Sequence, residues 1–110
     1  MTTAQLDVHM ADFVLYFVDS VERAADRITR LSPGNAAVHE AALRWKIYTV
    51  PAVFSAAFHD DPLASYLDLR IFTLQMDRFF TTGAGRDLFG ERQQIAIDTC
   101  KDLEHHIVAL

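Results

Sequence analysis

Apolar residues recur every three or four positions along almost the whole chain, and nowhere do they alternate with period two for long enough to make a strand. That spacing draws an apolar stripe down each of a series of helices, and stripes of this kind are buried by packing helix on helix. Three breaks divide the pattern: Ser32-Pro33-Gly34, His59-Asp60-Asp61-Pro62 and Thr82-Gly83-Ala84-Gly85-Arg86. Proline cannot continue a helix, and glycine supplies the turn that closes one. The breaks predict helices over about residues 4–31, 36–59, 62–81 and 88–110. With connections this short, the expected architecture is all-α: a single-domain antiparallel four-helix bundle.

The stripes name a candidate core. In the first helix it runs Leu6, Met10, Phe13, Phe17, Val21, Ala24, Ile28 and Leu31. Asn35 is placed to cap the second helix. That helix carries two stripes: Leu43, Ile47, Val50, Phe54 and Ala57 as its main face, and Val38, Ala42, Trp45, Ala52 and Ala56 beside it. Pro51 removes a backbone donor within the pattern, so a kink is expected there. Asp61 followed by Pro62 reads as a cap and first turn. The third helix is expected to bury Leu63, Leu67, Ile71 and Leu74, widened by Tyr66, Leu69, Met76 and Phe80, and to stop at Gly83. Asp87 is the expected cap of the fourth, which runs through Ile95, Ala96, Cys100, Leu103, Ile107 and Leu110.

Composition narrows the function classes. Of 110 residues 51% are hydrophobic, too many for a disordered chain. Ten basic against fifteen acidic side chains give a net charge of −5 with no basic cluster, which argues against nucleic acid as a partner. The longest charge-free run, residues 47–58, holds Thr49, Pro51 and Ser55 and is 12 residues long. A membrane span needs ~20. Asp7 and Asp12 interrupt the apolar start, so no signal peptide is read there. A lone Cys100 permits no internal disulfide. The periodicity runs to Leu110 without a stop signal, which reads either as a frayed natural end or as a last helix that continues into a longer chain from which this domain is excised.

One polar constellation stands out. Asp68 and Gln75 lie two helical turns apart on a stripe with Phe72 and Phe79, and Arg44, Trp45 and Lys46 lie on the preceding helix. A carboxylate on an inward stripe needs a cation, so the first reading is an ion pair that sets the register of the second and third helices. The alternatives are a small-molecule pocket near Pro51, lined by Trp45, Asp68 and Gln75, or a stripe that faces solvent. The other candidates have simpler explanations. Asp98, Asp102 and His106 share a face, but no Glu-x-x-His occurs anywhere, as a di-iron bundle requires. His39 lacks the Lys-Gly that follows a phosphotransfer histidine. The glycines follow a helix rather than a strand, unlike a phosphate loop. Cys100 falls on an apolar stripe. No catalytic constellation, metal site or cofactor site emerges.

Arg44-Trp45-Lys46, Asp61-Pro62, Asp68, Gln75-Met76, Gly83-x-Gly85, Phe89-Gly90 and Leu103-Glu104 together resemble an uncharacterised group of bacterial proteins. The resemblance spans about residues 44–104 and implies no activity, cofactor or catalytic residue. It implies a helical region within a longer, membrane-attached or exported chain, and hence a cell-envelope location. The function expected is a non-enzymatic interaction or sensory module of a larger bacterial protein, working through a protein partner or self-association. The alternative is a helical bundle that binds a small molecule.

Overall fold

The structure, a computed structural model, describes residues 3–109, with side chains from residue 7 onward. Four long helices form the bundle: α1 (Thr3–Arg30), α2 (Ala36–Ala57), α3 (Pro62–Thr81) and α5 (Gln93–Val108). A fifth, α4 (Gly83–Phe89), is two turns long and is followed by a single 3-10 turn over Gly90–Arg92. The long helices run up, down, up, down. Each packs on two neighbours, α1 on α2 and α5, α3 on α2 and α5. The 28 residues of α1 span about 42 Å at the α-helical rise, consistent with a molecule 49 Å long and 20 Å across.

Local chemistry sets the ends. Asn35 Oδ1 accepts from the Val38 amide at 3.2 Å, and Asp61 Oδ1 from the Leu63 amide at 3.0 Å with Pro62 in the first turn. Both caps stand where the sequence places them. Gly34 takes φ +74° after α1, a conformation that a side chain disfavours. No membrane-spanning helix occurs among the described residues.

The expected α1 face is the observed one. Met10, Phe13, Phe17, Val21, Ala24 and Ile28 are buried, and only Leu31 at its end is exposed; Leu6 lies outside the described side chains. On α5, Ala96, Cys100, Leu103 and Ile107 are buried. Leu110 lies outside the described residues.

On α2 and α3 the inward face is the other one. Leu43 and Ile47 are exposed, as are Leu63, Leu67, Ile71 and Leu74, each about half open to solvent at 47–56%. The core takes Val38, Ala42, Trp45, Thr49 and Val53 from α2, and Ser65, Leu69, Thr73, Met76, Asp77 and Phe80 from α3. Both stripes of each helix are apolar enough to serve. The inner stripes combine small residues, Ala42, Thr49, Ser65 and Thr73, with the large Trp45, Leu69, Met76 and Phe80, and the buried Thr73 and Ser65 hydroxyls are satisfied locally. Thr73 Oγ1 donates to the Leu69 carbonyl at 2.7 Å, and Ser65 Oγ accepts from the His59 amide at 3.1 Å.

The corner after α3 also differs from expectation. Thr82, not Gly83, ends α3, and Gly83 opens α4. Asp87 lies inside α4 and caps nothing, so the last long helix begins at Gln93. Gly85 is where α4 crosses the end of α3. A Cβ there would sit 2.5 Å from the Phe80 carbonyl oxygen. Gln93 Nε2 donates to that same carbonyl at 2.6 Å, and Arg92 donates twice to the Leu31 carbonyl, at 3.1 and 2.8 Å. These bonds pin the α4 crossing against the ends of α1 and α3.

Candidate functional site

The α4 crossing leaves an open pocket in the seam between α2 and α3. Its volume is about 430 Å³, within the range of small-molecule sites. Two turns of α2 supply Ala41, Arg44, Trp45, Tyr48 and Thr49 to one wall. Residues spaced by three and four on α3, namely Phe72, Gln75, Met76, Phe79 and Phe80, make the other, and α4 closes the end with Leu88 and Phe89.

An aromatic cluster forms its floor. The Trp45 ring meets Phe80 edge-on at 4.9 Å between centroids and Phe89 at 5.8 Å, while Phe80 and Phe89 stack at 5.4 Å. The Trp45 indole N–H donates to Met76 Sδ at 3.5 Å. A thioether is a weak acceptor, so this donor is poorly served for a group that is 8% exposed. At the rim Arg44 donates to Glu40 Oε1 at 2.8 Å, with both side chains about two-thirds exposed. Gln75 faces it, exposed, from α3.

Arg44, Trp45 and Gln75 thus converge on one pocket, and the other two residues of the expected constellation do not. Lys46 turns to the opposite side of α2 and pairs with Asp26 of α1 at 2.8 Å. Asp68 pairs with His59 at 2.6 Å, half exposed, across the corner between α2 and α3. The expected ion pair between Arg44 or Lys46 and Asp68 is therefore absent. The cause is the exchanged face of α3: the Asp68–Gln75 stripe borders solvent, and each charge finds a nearer partner. The pocket does not come from Pro51 either. That residue lines a shallow surface on the α1 side with Glu22, Leu43, Lys46, Ile47 and Val50.

A second, polar groove lies between α1 and α5, lined by Tyr16, Ser20, Arg23, Arg27, Asp98, Thr99 and Asp102 among others. The Tyr16 hydroxyl donates to Asp102, and its ring lies 4.3 Å from that of His106. That hydrogen bond, then partial burial, raises the phenol pKa above 10.0. The neighbouring polar groups find partners within single helices: Arg23 pairs with Asp19 at 2.8 Å, and Gln94 Nε2 donates to Asp98 Oδ1 at 2.8 Å. Among the described residues no group of three His, Cys, Asp or Glu side chains has metal-binding geometry. Cys100 is fully buried; desolvation, reinforced by Asp77 and Glu104, drives its thiol pKa strongly upward and keeps it protonated.

Asp77 is a feature that periodicity does not signal. It is 8% exposed between α3 and α5, and its Oδ1 has no hydrogen-bond partner. Lys101 Nζ donates to Oδ2 at 3.0 Å and lies 3.9 Å from Glu104. Burial, then the nearby Asp77 carboxylate, raise the Glu104 pKa above 4.5, with Lys101 opposing. Because the folded pKa lies above the unfolded one, folding takes up a proton. The resulting stabilisation is complete below pH 4.5 and is lost as the pH rises through the folded value. Glu104→Gln should flatten that part of the stability profile, read as urea midpoints from below pH 4.5 to neutrality.

A comparison with family models, curated proteins and solved structures finds no match for this chain.

Proposed function

We propose that this domain is a non-enzymatic sensory or binding module that takes a small molecule with an apolar, ring-bearing body in the α2/α3/α4 pocket. The observation that carries this reading is the pocket itself. It presents six aromatic side chains, Trp45, Tyr48, Phe72, Phe79, Phe80 and Phe89, around an open space of about 430 Å³. Aromatic surface left facing a cavity loses the dispersion contacts it would gain against a ligand. Few polar groups line it, and those few sit where they would orient rather than react with a guest.

The test uses N-phenyl-1-naphthylamine, an uncharged apolar probe whose emission rises on leaving water. Saturable enhancement is expected, and it should weaken at least tenfold in Ala41→Phe, which fills the pocket from the α2 wall. Enhancement that never saturates, or that is the same in Ala41→Phe, would remove the pocket as the site.

A second reading, association through a helix face, is supported by the half-exposed stripe Leu63, Leu67, Ile71 and Leu74 on α3. In the longer bacterial chain that the sequence resemblance implies, either activity suits a module that reports on a ligand or a partner.

A further inference from the structure

We infer that the pocket selects an anionic aromatic ligand, an aryl carboxylate of one or two rings, whose carboxylate is held by Arg44 and the Trp45 indole N–H. This rests on the reading that the pocket binds small molecules, and it goes on to name the charge and shape of the guest. The first support is electrostatic. Of the twelve residues lining the pocket, Arg44 alone carries a formal charge, although the chain as a whole has a net charge of −5. No carboxylate among the lining residues opposes an incoming anion. A cationic guest would suit the aromatic walls through cation–π contact, but it would meet a guanidinium at the mouth.

The second support is that both donors are held by weak partners. Arg44 is paired with Glu40 one turn away on the same helix, 65% and 64% exposed, and exposed pairs of this kind contribute little. A ligand carboxylate can take the other nitrogens of the guanidinium fork while Glu40 stays in place. The Trp45 N–H reaches only the Met76 sulfur at 3.5 Å. An oxygen acceptor is the stronger partner, and the flexible methionine chain can yield to it. Gln75 adds an amide on the opposite lip.

The third support is shape. Aromatic rings from α2, α3 and α4 line the space and favour a planar body, and Leu88 and Phe89 of α4 close one end.

Trp45 is the only tryptophan, so its indole N–H gives a single resonance that reports the site directly. The protein is titrated by NMR with 2-naphthoate and with 2-naphthylmethanol, which share a ring body and differ in charge. Both should saturate, with the naphthoate at least tenfold tighter and the indole proton moving downfield for it. In Arg44→Gln the two affinities should fall within about twofold of each other. Arg44 is exposed, so retained peak dispersion will show that this variant still folds. Equal affinities in the unmodified protein, or a preference that survives Arg44→Gln, would overturn the anion assignment and leave the pocket reading standing. Tighter binding of 2-naphthylmethylamine would overturn it in favour of a cation. Decanoate outcompeting naphthoate would overturn the planar shape. If no naphthyl compound saturates, the pocket reading itself fails, and this inference with it.

Discussion

Leu69→Ala is expected to destabilise the protein by about 2–5 kcal/mol, whereas Leu67→Ala, two positions away, should change stability by no more than about 0.5 kcal/mol. Leu69 is fully buried at the centre of the inward face of α3, and truncation leaves a cavity among large side chains that relax only in part. Leu67 is 47% exposed on the opposite face and loses mainly contact with water. Two leucines of one helix, with equal propensity and equal hydrophobicity, are thereby separated by burial alone. Urea unfolding of both variants in dilute solution measures the difference. A large loss at Leu67 and a small one at Leu69 would return α3 to the orientation that periodicity favours. The same pair probes the association reading. If a second copy covers the outer stripe of α3, Leu67→Ala becomes destabilising as protein concentration rises, because the dimer no longer supports the fold by mass action.

The second large effect is expected at Gly85. A β-carbon there would stand 2.5 Å from the Phe80 carbonyl oxygen and 2.7 Å from the Phe80 Cα, and neither is the movable end of a side chain. Gly85→Ala should therefore cost about 1–3 kcal/mol, as overpacking does when backbone has to move. Gly83 belongs to the same short helix and meets nothing within 4 Å. Gly83→Ala should be neutral or stabilising by up to about 1 kcal/mol, through the lower entropy of the unfolded chain. Thermal midpoints of the two variants decide the matter. The Gly85 substitution has a functional consequence too. Lifting α4 away from α3 displaces Leu88 and Phe89, the end wall of the pocket. Naphthoate affinity should drop with stability in Gly85→Ala and remain in Gly83→Ala.

The candidate site was legible in part. Arg44, Trp45 and Gln75 attract notice as polar or amphipathic residues set among apolar ones, and they do share a pocket. Lys46 carries the same signal and points to α1, because one residue of helix turns a side chain by about 100°. Asp68 looked like a partner for the cations only on the assumption that its stripe faces inward. Phe72 and Phe79 were visible as neighbours of Gln75 on one stripe. Nothing in sequence spacing connects Phe89 to Trp45 or marks Asp77 as the buried carboxylate. Both depend on contacts between elements far apart in the chain, the first on the α4 crossing and the second on how α3 rolls against α5.

Periodicity and punctuation by themselves determined four long helices, the caps at Asn35 and Asp61, the inward stripe of α1 from Met10 to Ile28 and the burial of Cys100. On α1 and α5 one face is clearly more apolar, and Asn35 and Asp61 each have a single local role, so local chemistry suffices. Tertiary structure decided the orientation of α2 and α3, where two apolar stripes compete. The stripes that go inward pair small residues, Ala42, Thr49, Ser65 and Thr73, with the large Trp45, Leu69, Met76 and Phe80, a mixture that interdigitates in a close-packed core. The leucines and isoleucines of the outer stripes are left half facing water. From that one rotation follow the separation of Asp68 from Arg44 and the opening of the aromatic pocket.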